Sequence, residues 1–454
     1  MRNTVLATAV AASLALAAPQ ALAQAKGSAT KAELQAIQAQ MQALAERLNK
    51  LEASNTELQA ENEQLKAVVD RRDSEIDYLK AQTKDLREEG AVTANEIDKV
   101  KGADWATRIK GRGDFRYRHE MISPERVVDG EAVSAADRTR QRIRARLGFD
   151  YKITDTVKGT LLLATGADDP RSSNQTLGGT GTRKSIGVDM AYVDWKFMSN
   201  ADLVLGKQPY VHWRPGQSLF FDGDFNPEGG GVKFDRGMLF GSAYGWWLTE
   251  QHTSNPKGEN SDANLFGAQL GVKIPLFGGE TVLAAHYFDC GACQDNSPLY
   301  NNNGNGNTTY TRPGSTTNLL KYDYEIVQLS AQVGTTLFDL PFVFWGDYAQ
   351  NLASGVEYDT AYGLGVTLGK ASGARTWEAG AFYQSLDKDA LFAQIVDSDF
   401  GDGRTDTEGW VLKAGYAPVK NIVLNATYFI NTVNKDVGTE LDYNRLQLDL
   451  NYKF

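Results

Sequence analysis

The spacing of hydrophobic residues divides the chain into two parts. Between Leu34 and Leu86 apolar residues recur every three or four positions, and beyond residue 105 apolar and polar residues alternate one by one. The first spacing is typical of a heptad repeat on a helix, and the second of a β-strand with two different faces. The pattern therefore predicts one long helix followed by a region built from strands.

The predicted helix carries a continuous apolar seam over residues 34–89. Its members are Leu34, Ile37, Met41, Leu44, Leu48, Leu51, Leu58, Leu65, Val69, Ile76, Leu79 and Leu86, with the polar residues Asn55, Asn62, Arg72 and Thr83 between them. Buried polar groups of this kind lower stability but fix register and the number of helices. Because Gly90 ends the pattern, we expect residues 90–104 to form a short linker.

Charges beside the seam indicate how the helices associate. The flanking pairs Arg47–Glu52, Glu61–Lys66 and Glu75–Lys80 each combine opposite charges. Such pairs meet between different helices when the helices are parallel and in register. We therefore expect a parallel α-helical coiled coil that joins copies of the chain. A single solvated helix, or one folded back on itself, is the alternative.

Strand-like alternation recurs about sixteen times over residues 105–454, and tight turns alternate with long loops, as in an up-and-down meander. In the last strand Leu448 and Leu450 share one face, and Gln447 and Asp449 share the other. A barrel of about sixteen strands is too wide for side chains to fill, so the polar face must line water and the apolar face must contact lipid. The predicted fold is all-β, a transmembrane antiparallel β-barrel preceded by the coiled coil.

Aromatic residues near the strand ends fit the two interfacial girdles of such a barrel. The candidates are Trp195, Phe197, Trp246, Trp247, Trp345, Tyr416 and Tyr452. We expect all of them to face outward, toward the edges of the lipid.

The first residues predict export. Arg2 precedes an apolar run from Val5 to Pro19, and Ala21–Ala23 provides a small-x-small cleavage site. This is the pattern of a secretory signal peptide over residues 1–23, followed by a short segment over residues 24–33. A membrane helix that is not cleaved is the alternative.

The two cysteines, Cys290 and Cys293, lie in an Asn- and Gly-rich loop. In a cytosolic chain this spacing would suggest redox chemistry or metal binding. In an exported chain it predicts a local disulfide.

Composition excludes several classes of protein. The chain has 454 residues, a net charge of −10 and a mean hydropathy of −0.40. That hydropathy leaves no room for a bundle of membrane helices, each of which needs about 20 apolar residues. The acidic balance does not favour nucleic acid as a partner. The four histidines are scattered and no phosphate-binding loop occurs, so we expect neither an enzyme nor a cofactor.

Basic residues occupy one face of the first two predicted strands. The alternation in RIKGRGDFRYR and RTRQRIRARLGF places on that face Arg108, Lys110, Arg112, Arg116, Arg118, Arg138, Arg140, Arg142, Arg144 and Arg146. Like charges at this spacing repel each other, so acidic groups or bound anions must compensate them.

These features together resemble a Gram-negative outer-membrane porin. The resemblance covers residues 105–454 and is carried by the strand RTRQRIRARLGF, the strand pair AYVDWKF and ADLVLGKQ, and the C-terminal Phe454. The leading coiled coil is similar to the segment that precedes the barrel in the Putative porin family and in phosphate-selective porins.

The resemblance implies a location and partners. We expect the barrel in the outer membrane of a Gram-negative bacterium, in contact with lipid and lipopolysaccharide, and the coiled coil in the periplasm. Phe454 would be the signal that the barrel-insertion machinery reads. Homotrimers are the habit of such proteins, and peptidoglycan is a candidate partner of the coiled coil.

The resemblance also points to the loop from Tyr210 to Gly231, because porins fold a loop at this place into the lumen. The loop carries Asp222, Asp224 and Glu228. Opposite the basic wall, these carboxylates would create a transverse electric field at a constriction. Alternatively, the basic residues hold the loops by salt bridges.

The predicted function is a water-filled diffusion channel for small hydrophilic solutes that favours anions. The alternatives are a channel selective for phosphate or oligophosphate, and a structural tether of the outer membrane through the coiled coil. Asp397, Asp399, Asp402 and Asp406 offer oxygen ligands, but not at EF-hand spacing. We interpret this stretch as a solvated loop without a metal.

Overall fold

The structure, a computed structural model, describes residues 31–99, 107–166, 169–250, 261–299 and 302–454. The chain divides into two units, Met1–Ala103 and Asp104–Phe454, and each is described by itself. The predicted signal peptide lies outside the described residues.

The first unit contains helix α1 (Lys31–Lys99), of 69 residues. Its seam is exposed in the single chain, Leu51 by 66% and Leu65 by 55%. An exposed apolar stripe on a long helix is typical of a helix that pairs with others, but the parallel coiled coil stays a prediction. In this unit and the other described ranges, no helix is long and apolar enough to cross a membrane.

The helix does not end at Gly90, so the predicted linker over residues 90–104 is wrong in its first part. The α-helix continues through Gly90 to Lys99. One glycine costs a helix only about 1 kcal/mol, and the residues that follow contain no proline to stop it.

In the second unit, sixteen long strands of the described chain form one antiparallel sheet. They are β1 (Ile109–Val128), β3 (Arg138–Lys152), β4 (Val157–Thr165), β6 (Ile186–Met198), β7 (Ala201–Lys207), β8 (Glu228–Arg236), β9 (Leu239–Thr249), β10 (Ala263–Leu276), β11 (Gly279–Gly291), β14 (Glu325–Leu337), β15 (Leu340–Asn351), β16 (Thr360–Gly369), β17 (Thr376–Leu386), β18 (Thr407–Val419), β19 (Ile422–Val433) and β20 (Leu441–Lys453). The short strands β2 (Glu131–Ser134), β5 (Gln175–Thr176), β12 (Thr309–Tyr310) and β13 (Leu319–Leu320) lie between them.

The sheet closes on itself because β1 pairs with β20 as well as with β3, and Asp114 lies opposite Lys453. The predicted antiparallel barrel of about sixteen strands is therefore confirmed. Tight turns connect the strands at one end. Phe277 and Gly278 make one of them with φ of 55° and 74°, the left-handed conformation that a two-residue hairpin turn requires.

The faces of the strands follow the sequence alternation. In β20 the Arg445 side chain points into the barrel and is 1% exposed, whereas Leu448 points outward and is 43% exposed. Charged and polar groups line the interior, and aliphatic groups form the outer surface.

Two of the predicted girdle residues face the other way. Trp246 and Trp345 are buried inside the barrel, because they share strand faces with inward residues such as Tyr244 and Asp347. Trp247, the next residue after Trp246, points outward. The girdle assignment is wrong for Trp246 and Trp345, whereas Trp195, Phe197, Trp247, Tyr416 and Tyr452 are exposed.

Long loops fill much of the lumen. Residues 208–227, here the first lumen loop, and residues 387–406, here the second lumen loop, pack together inside the barrel. In the second loop Leu391, Phe392 and Phe400 are nearly fully buried. The interpretation of the stretch around Asp397 as a solvated loop is therefore wrong, because buried apolar residues of this loop anchor it inside the barrel.

Gly113 tests the closure of the barrel. A Cβ atom at Gly113 would collide with the ring of Phe454 and the carbonyl oxygen of Arg146, whereas a Cβ atom at Gly111 on the same strand meets nothing within 4 Å. We expect Gly113→Val to destabilise the barrel by about 1–3 kcal/mol, as overpacking does, and Gly111→Val to change it little. The measurement is the temperature at which the detergent-solubilised protein loses the electrophoretic mobility of the folded barrel. Equal temperatures for the two variants would contradict the expected clash.

Candidate functional site

The alternating arginines of β1 and β3 come together on the lumen side of the barrel wall. Arg144 binds Asp114 at 3.0 Å, and Arg146 Nε donates to the same carboxylate at 2.7 Å. Arg118 Nε donates to Asp449 Oδ1 on β20 at 2.7 Å. Acidic side chains on the same three strands therefore neutralise much of the basic wall.

Glu120 is an acidic partner that sequence reasoning missed. Its side chain is fully buried between Arg140, which donates to one carboxylate oxygen, and Gln447, which donates to the other. Strand alternation was sufficient to find it, since Glu120 is an even-numbered residue of β1 like Arg116 and Arg118.

The remaining basic residues of the prediction differ in exposure, and Arg142 is buried. Arg112 binds Asp150 at 3.3 Å, and Arg142 donates to the carbonyl oxygen of Asn174 at 3.3 Å. Arg108, Lys110 and Arg138 are exposed at the strand ends. The wall at mid-barrel is thus made by Arg112, Arg116, Arg118, Arg140, Arg142, Arg144 and Arg146.

The first lumen loop brings only one of its three predicted carboxylates to the arginines. Asp224 accepts from Arg144 Nη1 at 3.1 Å and from the Ser173 hydroxyl at 2.8 Å. Asp222 accepts instead from the backbone N–H groups of Asp224 and Ser398, both at 2.7 Å.

Glu228 does not belong to the loop. It opens strand β8 with an exposed side chain that binds Lys207 at 3.1 Å. The assignment of Glu228 to the acidic constriction is wrong, because the strand begins before the glycine run and turns this carboxylate away from the basic wall.

The two lumen loops are joined by backbone hydrogen bonds. Asp222 N donates to the carbonyl oxygen of Ile395 at 2.8 Å, and Asp397 N donates to that of Leu219 at 3.3 Å. The buried Arg171 binds the second loop by donating to the carbonyl oxygens of Ala393 at 3.0 Å and Gly403 at 2.7 Å. Together the loops make a bridge inside the lumen next to the arginine wall.

The second lumen loop also supplies counter-charges to the wall. Asp399 accepts from Arg118 Nη1 at 3.0 Å and from Arg445 Nη1 at 2.5 Å, and Asp402 accepts from Arg445 Nη2 at 2.9 Å. Sequence reasoning assigned the opposing charge to the first loop alone. The acidic run around Asp399 was the available signal.

Aromatic packing attaches the first lumen loop to the wall. The ring of His212 stacks on His286 of β11 with centroids 4.6 Å apart, and Tyr210 contacts Trp246 at 5.5 Å. His286 also bonds to the Tyr244 hydroxyl at 2.8 Å. The loop is thus held at one position in the lumen.

A cavity of about 190 Å³ lies between the wall and the loop bridge. Its charged lining consists of the cations Arg116, Arg118, Arg171 and Lys413 and the carboxylates Asp222, Asp224, Asp397 and Asp399. Both signs of charge therefore meet across a space only a few water molecules wide.

Burial divides the loop carboxylates into two kinds. Burial and the neighbouring Asp397 raise the pKa of Asp222, and burial together with Asp399 raises the pKa of Asp397 to about 6. Burial alone would also raise the pKa of Asp224, but Arg144 and Arg116 hold it below its ordinary value. Asp224 is therefore a permanent charge, whereas Asp222 and Asp397 share a site that favours a proton.

Three other predicted residues have simple surroundings. Cys290 and Cys293 are joined by a disulfide. Phe454 exchanges two backbone hydrogen bonds of 3.1 Å with Gly113, which extends the pairing of β20 with β1 to the last residue. Among the described residues, no group of three or more His, Cys, Asp or Glu side chains is arranged to hold a metal ion.

Comparison with known proteins decides the family. The model of the family described as Putative porin matches residues 125–318 and 316–454. The chain belongs to this family. It is therefore a channel-forming outer-membrane porin rather than an enzyme, with a transmembrane β-barrel.

Solved structures similar to this porin include outer-membrane proteins of three bacteria. The Pseudomonas putida OprB structure at high pH has a TM-score of 0.49 and 12% identity over 80% of this chain and 96% of that chain. A loop L8 deletion mutant of Vibrio cholerae OmpT has a TM-score of 0.44 and 13% identity over 76% of this chain and 100% of that chain. A triple mutant of Rhodopseudomonas blastica porin has a TM-score of 0.41 and 12% identity over 76% of this chain and 100% of that chain. No curated protein matches the sequence.

The shared site of Asp222 and Asp397 predicts a pH dependence. Because the pKa of Asp397 is raised in the folded loop, its proton stabilises the loop bridge at low pH, and this stabilisation is lost as the pH rises through about 6. We expect the single-channel conductance of the porin to increase between about pH 5 and pH 8. Asp397→Asn, which is neutral throughout, should remove most of the increase.

Glu228→Gln is the matched control for this measurement, since it removes a carboxylate outside the loop bridge. It should keep the pH dependence of the unmodified protein. A conductance that changes with pH equally in Asp397→Asn and in the unmodified porin would contradict the assignment.

Proposed function

We propose that this porin is a restrictive diffusion channel for small hydrophilic solutes, with a preference for anions set in the constriction. The observation that carries the proposal is the bridge of two lumen loops beside the arginine wall, which leaves between them a cavity of about 190 Å³ with charged groups on both sides. Solutes that pass through this cavity contact both signs of charge.

The preference for anions rests on the cations that remain incompletely paired. Arg118, Arg144 and Arg146 have carboxylate partners within 3.1 Å. Arg142 lies 4.0 Å from Glu120, and its Nε has no hydrogen-bond partner among the described residues. Because the charge of Arg142 is only partly neutralised, its electric field can act on a passing ion. A basic constriction favours anions.

We further infer that α1 is a stalk that joins copies of the porin in the periplasm. At about 1.5 Å per residue, 69 helical residues extend over about 100 Å, so a tether to the cell wall is geometrically feasible. The exposed heptad seam supports association, and its opposite flanking charges support a parallel arrangement. The proposal also includes assembly as a homotrimer. Residues 1–23 would direct export, and the insertion machinery would recognise Phe454.

Charge removal at Arg142 tests ion selectivity. We expect Arg142→Gln to shift the zero-current potential in a tenfold KCl gradient toward cation selectivity, because it removes an incompletely paired charge beside the constriction. Arg138→Gln removes the same charge from the exposed end of the same strand and face. Its effect should be smaller, since exposed charges are screened over about 10 Å at 0.1 M salt. No shift in Arg142→Gln would exclude this residue from the pore field.

Charges in the heptad seam test the stalk. Leu51→Asp with Leu58→Asp places two carboxylates in the seam, which should weaken association by desolvating unpaired charge. The control, Ala53→Asp with Ala60→Asp, adds the same charge on the opposite helix face. We expect light scattering of the detergent-solubilised porin to show a smaller oligomer for the first variant only. Identical oligomers for both variants would show that the seam is not needed for assembly.

A further inference from the structure

The constriction cavity contains two cations that the protein leaves mostly unpartnered. Lys413, an inward residue of β18, makes no hydrogen bond or ion pair within the described chain; its Nζ lies 5.2 Å from the ring centre of Phe382. Arg116 uses only Nε, which donates to Asn451 at 3.1 Å and lies 3.9 Å from Asp449. The two terminal nitrogens of its guanidinium group have no described partner.

Four other charged residues of the cavity already have partners. Arg118 and Asp399 bind each other, Arg171 holds loop carbonyl groups, and Asp224 accepts from Arg144. Arg116 and Lys413 differ from these neighbours because some of their N–H groups donate no hydrogen bond to the described residues.

Strand register places a third donor next to Lys413. Thr427 lies directly opposite Lys413 in the pairing of β18 with β19, and its side chain also lines the cavity. The Thr427 hydroxyl has no hydrogen-bond partner among the described residues. An ammonium group, a hydroxyl group and a guanidinium group thus line one small space.

We propose that this cavity is a binding site for the carboxylate group of a small organic solute, held by Arg116, Lys413 and Thr427. The inference deepens the proposed function and rests on it. Planar carboxylates accept paired hydrogen bonds from a guanidinium group, and charge-assisted bonds of this kind are the strong ones. The cavity of about 190 Å³ has room for about six waters at about 30 Å³ each, which suits a solute of a few heavy atoms.

The loop side of the cavity favours a single negative charge. Asp222 and Asp397 line the space without a cation within ion-pair distance. At pH 7, above the pKa of about 6 of Asp397, the ionised Asp397 carboxylate would repel a phosphate dianion more strongly than a monocarboxylate. The same carboxylate can accept an ammonium group, so the site admits both simple monocarboxylates and zwitterionic amino acids.

The test measures block of the chloride current through single channels at pH 7 by propionate, glycine and inorganic phosphate. We expect propionate or glycine to block at lower concentration than phosphate. Lys413→Gln should raise the half-blocking concentration of the better carboxylate by about tenfold or more, the effect of one lost charge-assisted hydrogen bond. Lys413→Arg should restore most of the block.

Lys233→Gln is the matched control. Lys233 is also a lumen lysine, but it lines a different cavity and binds Asp194 at 3.1 Å. Its substitution should change the half-blocking concentration less than about twofold, because exposed ion pairs contribute little. Thr427→Val removes only the hydroxyl group, so it should weaken the block without changing the charge of the site. This variant tests the site if Lys413→Gln does not fold.

The outcomes separate the two proposals. Equal block of the Lys413→Gln and Lys233→Gln channels, or stronger block by phosphate than by either carboxylate, would overturn the site while the conducting channel keeps its anion preference. An unmodified protein that carries no current would overturn the proposed function itself.

Discussion

Closure of the strand ladder is the constraint on which the rest of the structure depends. Lipid cannot satisfy backbone N–H and C=O groups, so a membrane sheet must leave no free edge. The pairing of β1 with β20 meets this condition. Closure with sixteen strands also fixes a lumen wider than side chains can fill, and this width explains why loops lie inside. The loops bring buried apolar groups such as Phe392 and Phe400, which anchor them without lipid.

Inside the closed wall, charge pairing decides what remains for solutes. An isolated buried charge is costly, so most arginines of β1 and β3 have a carboxylate on a neighbouring strand or on a lumen loop. The wall is therefore not a uniformly basic surface. It is a network of ion pairs that contains a few incompletely paired cations. Arg116, Arg142 and Lys413 are such cations, and Arg116 and Lys413 line the cavity beside the loop bridge.

Much of the fold was predictable from the sequence because strand alternation reports which solvent each face meets. This reasoning gave the barrel, the strand number and the inward direction of residues such as Arg118 and Asp449. The assignment failed where loops replace water in the lumen: Trp246 and Trp345 were assigned to the girdles because they are aromatic residues near strand ends, yet their faces meet the first lumen loop. The reasoning also failed to find the second lumen loop, because an acidic, Gly-containing stretch with scattered apolar residues has no period that reveals burial.

The loop bridge joins segments that are far apart in the chain. Ser398 binds Asp222 across 176 residues, and Arg171 binds Gly403 across 232, whereas successive barrel strands pair with their neighbours in sequence, apart from the closing pair. Each such contact closes a long stretch of chain, and the entropic cost of that closure must be offset. The pair that closes the wall spans even more of the chain, since Arg118 and Asp449 are 331 residues apart. The permeability filter and the closed wall therefore both depend on the C-terminal strands, and neither can be completed before the last part of the chain is in place.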